Sequence, residues 1–552
     1  MPGRRKEPPG PGPDGARPSA SAIRDRPARP RPGIRRRKGW RDRTQGQLSG
    51  AVHARNSAIS PMRPLAIRRD MKPFGPPRVN RGLNTRQAMT VICWFRRVLR
   101  LDDHPALAAA AKNGAVIALA ILDPADAAAH PASAQRQAMA LPPLDAGLRA
   151  RGSRLIVRRG DPATVLAQVV RDSGAVAVHT SQGLPFAGDD GLQAAVAGAG
   201  AVLHVHPLAD LVPRGSVLTG SGTRFKVFTP FWRALRRTPI AEPLPAPRLT
   251  APPAWPASDG PDWPEARRAM DRGWDVVARH VRAGEDAALD QLEAFLNRIT
   301  ARYAEGRNRP ADDDATSGLS DALAVGEISA RRIWHRAMAA QQDGQGGIED
   351  FLRELAWRDF ARDLFHASPN IDRTCWRPEW NDFPWRGDGP DAEAWRRGRT
   401  GIAMVDAGMR ELFATGRMHN RVRMIAASFL VKHLMIDWRV GLDWFARCLT
   451  DWDAANNAMN WQWVAGCGPD ASPFFRVFNP DTQGTKFDAR RRYRDLWLDP
   501  DAVGAQEFAD AAPRSWRVDP HDRLAPMVDL DTGRQRALDA YGRFKRRDRA
   551  AR

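Results

Sequence analysis

Trp395–Gly484 reads WRRGRTGIAMVDAGMRELFATGRMHNRVRMIAASFLVKHLMIDWRVGLDWFARCLTDWDAANNAMNWQWVAGCGPDASPFFRVFNPDTQG, with six tryptophans set among Asn, Asp and Arg. A buried indole needs a partner for its N–H, and Asn, Asp and Arg inside a core need theirs. The stretch therefore describes a helical bundle built around a polar pocket. A large aromatic ligand with hydrogen-bonding edges would fill it.

Working outward, residues 284–545 carry helical periodicity almost throughout, as in IEDFLRELAWRDFARDLF, where Phe351, Leu355, Phe360 and Leu364 recur at near 3.6 spacing. Upstream the period changes. From Val91, short apolar runs (VICWF, AVIALAIL, LIVRR, AVAV, VLHV) alternate with Ala-rich helical stretches, which predicts a doubly wound parallel sheet. The fold class is thus an α/β N-terminal domain with a doubly wound parallel sheet, followed by an all-α C-terminal domain. Such sheets bind ligands at the carboxyl ends of their strands, but no GxGxxG names a dinucleotide. Thr238–Pro264 contains nine prolines and reads as an extended connection. The expected divisions are a 1–88 extension, an α/β domain over 89–215, a linker over 216–283, a helical domain over 284–545 and a basic tail over 546–552.

The 552-residue chain carries a net charge of +22, but residues 1–88 hold 22 Lys and Arg against 5 Asp and Glu, hence +17. Residues 89–552 hold 63 against 58, or +5. The basicity belongs to the extension, whose Arg, Pro and Gly cannot bury enough surface to fold, so disorder is expected there. It reads either as a nucleic-acid arm or transit peptide, or, preferably, as sequence upstream of a native start at Met71 or Met89. Cys93, Cys375, Cys448 and Cys467 have no metal-binding spacing, and no metal is expected. No secretory signal or membrane-length apolar run is present, so a cytoplasmic protein with reduced thiols is expected.

Six segments in order carry a resemblance: VICWFRRVLRLDDHPAL (91–107), FKVFTPFWR (225–233), ATSGLSDALAVGEIS (315–329), FLRELAWRDF (351–360), TGRMHNRVRMIAASFL (415–430) and NWQWVAGCGPDASPFFRVFNPDTQG (460–484). Together they resemble the DNA photolyase and cryptochrome family over roughly Met89 to Lys545. The resemblance implies an α/β antenna domain, a helical domain holding a folded FAD, and blue-light chemistry.

For the flavin it implies Tyr303, the run Thr316, Ser317, Gly318, Leu319 and Ser320 before a helix, then Arg423, Asp451 and Asp453 holding one another and the ring edge, and Asn457 facing the ring nitrogen N5. Hydroxyls and N–H groups at a helix start suit a pyrophosphate. Trp461, Trp438 and Trp385 match the family's electron-transfer chain, Trp461 nearest the flavin. Glu354, Trp357, Asn420, Arg421, Met424 and Trp463 match positions lining the lesion cavity of cyclobutane pyrimidine dimer photolyases, and Arg307 matches one near the lesion strand. Glu354 and Trp357, three apart, share a helix face. A flipped base could stack on Trp357 and Trp463, and a protonated Glu354 could hydrogen-bond the pyrimidine carbonyl as charge develops. A surface Glu354 paired with Arg358 or Arg362 is the bland alternative. His419 stands alone in MHNRVRM, without the second His of enzymes that repair (6-4) photoproducts, which favours direct ring splitting. Glu354 and Asn457 are the candidate catalytic residues.

Departures from the family pattern are Arg417 for a common Trp, Trp452 for Gly, Met459-Asn460 for Gly-Gly, and Gly318 for Arg. The larger Trp452, Met459 and Asn460, with Arg417, would narrow the pocket, and Arg417 could favour an anionic reduced flavin. Pro185 stands where folate-binding members have Glu, leaving the second chromophore open between methenyltetrahydrofolate, a flavin type, and none. The implied activity is light-driven splitting of pyrimidine dimers in UV-damaged DNA by a carbon–carbon lyase, acting as a monomer. A cryptochrome-like photoreceptor without repair, and a flavin-free single-strand DNA binder, are the competing readings.

Overall fold

The computed structural model describes residues 89–551 apart from 184–188, 300, 369, 471–472, 520 and 523. The 1–88 extension and Pro185 lie outside the described residues. Five strands, β1 (Thr90–Trp94), β2 (Ala115–Leu122), β3 (Leu155–Arg159), β4 (Ala177–Ser181) and β5 (Val202–His206), form one parallel sheet in the order β3-β2-β1-β4-β5. Ile92 pairs with Ile117 of β2 and with Val178 of β4.

Both faces of the sheet are covered, and the two-residue period of a strand explains how. Val91 and Cys93 pack into one core with Leu107 of α1 (Pro105–Asn113), Ala127 of α2 (Pro124–Ala129), and Leu141 and Leu144 of α3 (Pro131–Arg149). Ile92 and Trp94 point the other way, against Val165 and Val169 of α4 (Pro162–Ser173) and Val196 of α5 (Asp189–Gly198). Because β1 pairs with β2 on one side and β4 on the other, the direction of winding reverses between β1 and β4. A crevice of about 450 Å³ opens where Trp94, Arg96 and Gln182 follow those strand ends, closed by Arg358, Arg362 and Trp452 of the helical part.

The segment expected to be a linker, 216–283, contains three short helices. Phe228–Leu235 is a helix whose Phe228, Phe231, Trp232 and Leu235 are all buried in the helical domain's core. Their i, i+3, i+4, i+7 spacing gives one apolar stripe, and the core was the place to bury it. The proline-rich run is extended, as its composition predicts, but it does not hang free. It is pinned along the sheet domain by Asp103 N–H to the Leu244 carbonyl (2.7 Å), Val116 N–H to Thr250 (2.9 Å) and Asp259 N–H to Val157 (2.7 Å). Proline lacks a donor, but the run serves mainly as acceptor through the Leu244 and Thr250 carbonyls, and Asp259 still donates its N–H.

From Glu285 onward the elements are helices, with no named strand after β5 among the described residues. The helix Ile348–Ala367 runs beside Ala454–Ala465 and Phe228–Leu235 and carries Glu354 and Trp357 into the interior. The two domains are tied by buried ions. Arg136 of α3 bonds Glu327 and, at 3.2 Å, Asp321 Oδ2; Arg332 bonds Asp102; and Glu285 accepts from Leu101 N–H (2.8 Å) and Asp102 N–H (2.9 Å). Arg136 and Glu327 are fully buried, and charges so deep are tolerated only beside a partner. Among the described residues no helix is long and apolar enough to cross a membrane, and no group of three or more His, Cys, Asp or Glu could hold a metal ion. All four cysteines are buried and free.

Candidate active site

The helical domain encloses a cavity of about 1570 Å³. It gathers Tyr303, Arg307, the Thr316–Ser320 run, Glu354, Trp357, Asn420, Arg421, Arg423, Met424, Asp451, Asp453, Asn457, Trp461 and Trp463, residues that lie up to 160 positions apart in the chain. Trp438 and Trp385 are not among its lining residues.

At one end, the loop before the helix Ser320–Val325 turns at Gly318, whose φ of +64° favours glycine. Gln291 Nε2 donates to the Ser317 carbonyl (3.0 Å) and Arg417 Nη2 to the Gly318 carbonyl (3.1 Å). No side chain caps this helix, so its first N–H groups remain available to a ligand. Arg417 also donates to the His280 carbonyl (3.3 Å) and lies 3.7 Å from Asp321. Its guanidinium thus braces the Gly318 loop.

Deeper, Arg423 Nη2 and Asp451 Oδ2 form a 2.7 Å ion pair, while the other carboxylate oxygen of Asp451 is buried without a partner. Asp453 does not join this pair as expected. It caps the helix Ala454–Ala465 through Asn456 N–H (2.9 Å) and faces Arg362 at 3.9 Å. Burial would raise the Asp453 pKa, but Arg362 and Arg358 hold it below the ordinary carboxylate value. A cap must sit where the helix begins, and that fixes which cations it meets. Asn457 donates through Nδ2 to the Leu442 carbonyl (3.1 Å), which fixes the amide and keeps its oxygen for the cavity.

The opposite wall carries the other group. Glu354 pairs with Arg307 at 2.6 Å, not with Arg358 or Arg362, so Arg307 is turned inward. Burial raises the Glu354 pKa even though Arg307 opposes it. Trp357 lies face to face on Phe228, with ring centroids 3.6 Å apart, and both it and Trp463 are half-buried at the cavity. Asn420 begins the helix Asn420–Ser428, and His419 caps it by accepting from Arg421 N–H at 3.1 Å. Burial, then Arg423, Arg307 and Arg421, bring the His419 pKa down to about 4, so the imidazole is neutral near pH 7. Tyr303 is buried against Phe295 and Phe351, and burial pushes its hydroxyl up to about 12.

Trp461 borders the cavity with its ring laid on Gly441, held at the side by Phe445 (5.0 Å) and Trp395 (6.2 Å), both edge-on. The indole N–H groups of Trp461, Trp438 and Trp385 are all buried without a hydrogen-bond partner. Trp452 was expected to narrow the pocket. Instead its ring stacks at 3.5 Å on His130, the residue between α2 and α3, with the Arg97 guanidinium 5.1 Å from it, and forms the wall between the two cavities. Met459 is buried and Asn460 bonds back to the Asn456 carbonyl (2.8 Å), both on the cavity lining. Sequence reasoning missed Gly441, Phe228 and Trp395; the last opens the decisive stretch, and its N–H donates to the Ala426 carbonyl at 3.1 Å.

A parallel-sheet domain locked onto a helical bundle, with a long cavity offering hydroxyls and N–H groups at one end and an ion pair and indoles at the other, defines a holder for an extended dinucleotide beside redox-active side chains. Residues 351–543 match the FAD binding domain of DNA photolyase, and residues 91–248 match the DNA photolyase family. A deoxyribodipyrimidine photo-lyase of Streptomyces griseus is 40% identical over 463 residues, covering 81% of this chain and 98% of that one. The crystal structure of a class III photolyase from Agrobacterium tumefaciens superposes with a TM-score of 0.74 at 36% identity, covering 85% and 99% of the two chains. A Synechocystis cryptochrome gives 0.72 at 28% identity, covering 82% and 99%. The chain belongs to the DNA photolyase and cryptochrome family, as an FAD-binding enzyme of the photo-lyase kind. The residues present suit FAD: the uncapped helix start fits a pyrophosphate, and the unpartnered Asp451 oxygen and the free Asn457 carbonyl fit the polar edge of a flavin.

Proposed function

We propose that this protein repairs cyclobutane pyrimidine dimers in UV-damaged DNA under blue light. Reduced FAD, held by the Thr316–Ser320 loop, Asp451 and Asn457, would supply the light-driven electron for ring opening. The observation that carries this reading is one cavity bordered at once by the flavin-type groups and by Trp357, Trp463 and Glu354. Two half-buried indoles offer flat surfaces to an extruded base, each worth about 1–3 kcal/mol of stacking. Burial raises the Glu354 pKa while Arg307 opposes it, and the pair with Arg307 holds the carboxyl group at the cavity where it is suited to meet an extruded pyrimidine. Neutral His419 offers no acid for moving a hydroxyl group, in keeping with simple ring opening. Arg421 and Asn420 at the mouth suit the lesion strand. Asn457 positions the flavin edge, and Trp461, Trp438 and Trp385 pass electrons inward.

The 450 Å³ crevice at the strand ends is suited to a second pigment, folate or flavin in type. The protein is proposed to act as a monomer in the cytoplasm.

The test is loss of dimers from an irradiated oligonucleotide under blue light. Glu354→Ala and Trp357→Ala should each cut repair sharply with FAD still bound, and undiminished repair in both would contradict these roles. Light signalling without repair, which the likeness to a cryptochrome raises, predicts flavin photochemistry with no dimer loss in the same assay.

A further inference from the structure

The indole proposed to receive an extruded base is itself backed by a ring. Phe228 covers one face of Trp357, with centroids 3.6 Å apart and planes 11° from parallel, and Phe360 stands edge-on to both rings at 5.8 Å. What remains open of the indole borders the cavity. Phe228 is 2% exposed and is not among the cavity's lining residues, whereas Lys226, Val227 and Thr229 around it are exposed. A surface segment thus sends a single ring inward, beneath the platform.

That segment is latched to the loop that follows the helix of Trp463. Asp470 N–H donates to the Lys226 carbonyl (2.9 Å), and Phe228 N–H donates back to Asp470 Oδ1 (3.2 Å). The helix Phe228–Leu235 starts after Val227, which has no side-chain acceptor, so its first N–H takes the carboxylate from outside, and a negative charge suits that end of a helix. Asp470 has φ +64°, a conformation that a non-glycine residue keeps only when its surroundings impose it. Arg377 imposes it from behind, donating to the carbonyls of Gly466 (3.4 Å), Cys467 (3.1 Å) and Asp470 (3.3 Å). The two indoles at the cavity are therefore joined through Phe228, Asp470 and the turn that ends the helix Ala454–Ala465.

We propose that Phe228, latched by Asp470, is a positioning residue for lesion recognition: it holds Trp357 as a flat platform and so sets the preference for an extruded pyrimidine dimer over undamaged DNA. This rests on the reading of Trp357 as the stacking surface. An indole with an empty space behind it can tilt, and the orientations it gains must be surrendered when a base stacks on it; a filled rear face removes that cost beforehand. Phosphate contacts do not feel the difference, because they are made by charged groups elsewhere on the surface. Since Phe228 does not border the cavity, replacing it takes away no contact to the base or to the flavin.

The experiment uses full-length, flavin-loaded protein, a fluorescent duplex carrying a cyclobutane thymine dimer, and an undamaged duplex of the same sequence. Affinity for each is measured in the dark by anisotropy, and repair under blue light is followed at limiting and at saturating DNA. Phe228→Leu should weaken dimer binding about 3- to 10-fold, the worth of an aromatic pair, with flavin content, undamaged-DNA affinity and repair at saturating DNA all retained. Asp470→Gly, which suits the backbone but removes the acceptor, should lose dimer preference in the same way, and Asp470→Asn, which keeps an acceptor oxygen, should restore it. The Asp470 variants carry the test where Phe228→Leu does not fold. Full wild-type preference for the dimer in Phe228→Leu or Asp470→Gly overturns the proposal, as does an equal loss on both duplexes or a loss of flavin, either of which would make Phe228 a core residue only. Trp357→Ala should weaken dimer binding at least as far; unchanged dimer affinity in that variant would instead overturn the stacking reading beneath the proposal.

Discussion

Replacing Gly441 by Ala tests the seat of Trp461 directly. A β-carbon at Gly441 would lie 2.1 Å from Cη2, 2.5 Å from Cζ3 and 2.6 Å from Cζ2 of the Trp461 ring. Ordinary carbon contacts begin near 3.5 Å, so the indole must retreat by about 1.5 Å. Trp395 and Phe445 stand edge-on at its sides, which leaves the cavity as the open direction. Overpacking of this kind costs about 1–3 kcal/mol. Alanine's better helix propensity returns about 1 kcal/mol inside the helix Trp438–Cys448, for a net loss of about 0–2 kcal/mol. The functional effect should exceed the loss of stability, because the displaced ring enters the flavin's space. Urea unfolding, flavin content after gel filtration and the photoreduction rate measure the three consequences. A Gly441→Ala protein more stable than wild type by the full propensity gain, with complete flavin and an unchanged rate, would refute this placement of Trp461.

Arg423→Leu should leave Asp451 buried and unpaired, a loss of about 3–5 kcal/mol with little FAD retained. Adding Asp451→Asn should recover stability in denaturant but not FAD, and recovery of both would remove Asp451 from the flavin's contacts. His419 has a folded pKa of about 4 against an ordinary 6.5, so the unfolded chain binds more protons between those values. Stability from this group is full above about pH 6.5 and is lost as pH falls toward 4, by about 2 kcal/mol at pH 5. His419→Gln should flatten that part of the pH–stability curve from urea unfolding, and an unchanged curve would show that the imidazole titrates normally.

Much of the sheet domain was legible from period alone. Alternate residues of VICWF enter opposite cores, and five such runs with helices between them leave few arrangements other than a parallel, doubly wound sheet. The helix Phe228–Leu235 carried its apolar stripe in plain view, but the prolines around it suggested a linker, and which core would receive the stripe was not a local property. The Thr316–Ser320 loop and the Arg423–Asp451 pair could be anticipated as parts of one pocket. The turn of Trp452 toward His130 could not, since His130 belongs to the other domain. Gly441 gave no signal because its role is an absence of side chain, visible only against the ring that fills the space.

The sequence by itself determined the strand runs of the sheet and the helical bundle with its polar interior, because helical and strand periods are properties of neighbouring residues, while the set of residues expected in one site came from the resemblance to the family. Tertiary structure alone decided the partners. Glu354 meets Arg307, 47 residues away, rather than its helix neighbours, and Asp453 meets Arg362 rather than Arg423. Ion pairs depend on separations of a few ångströms, and those are fixed only when distant helices pack.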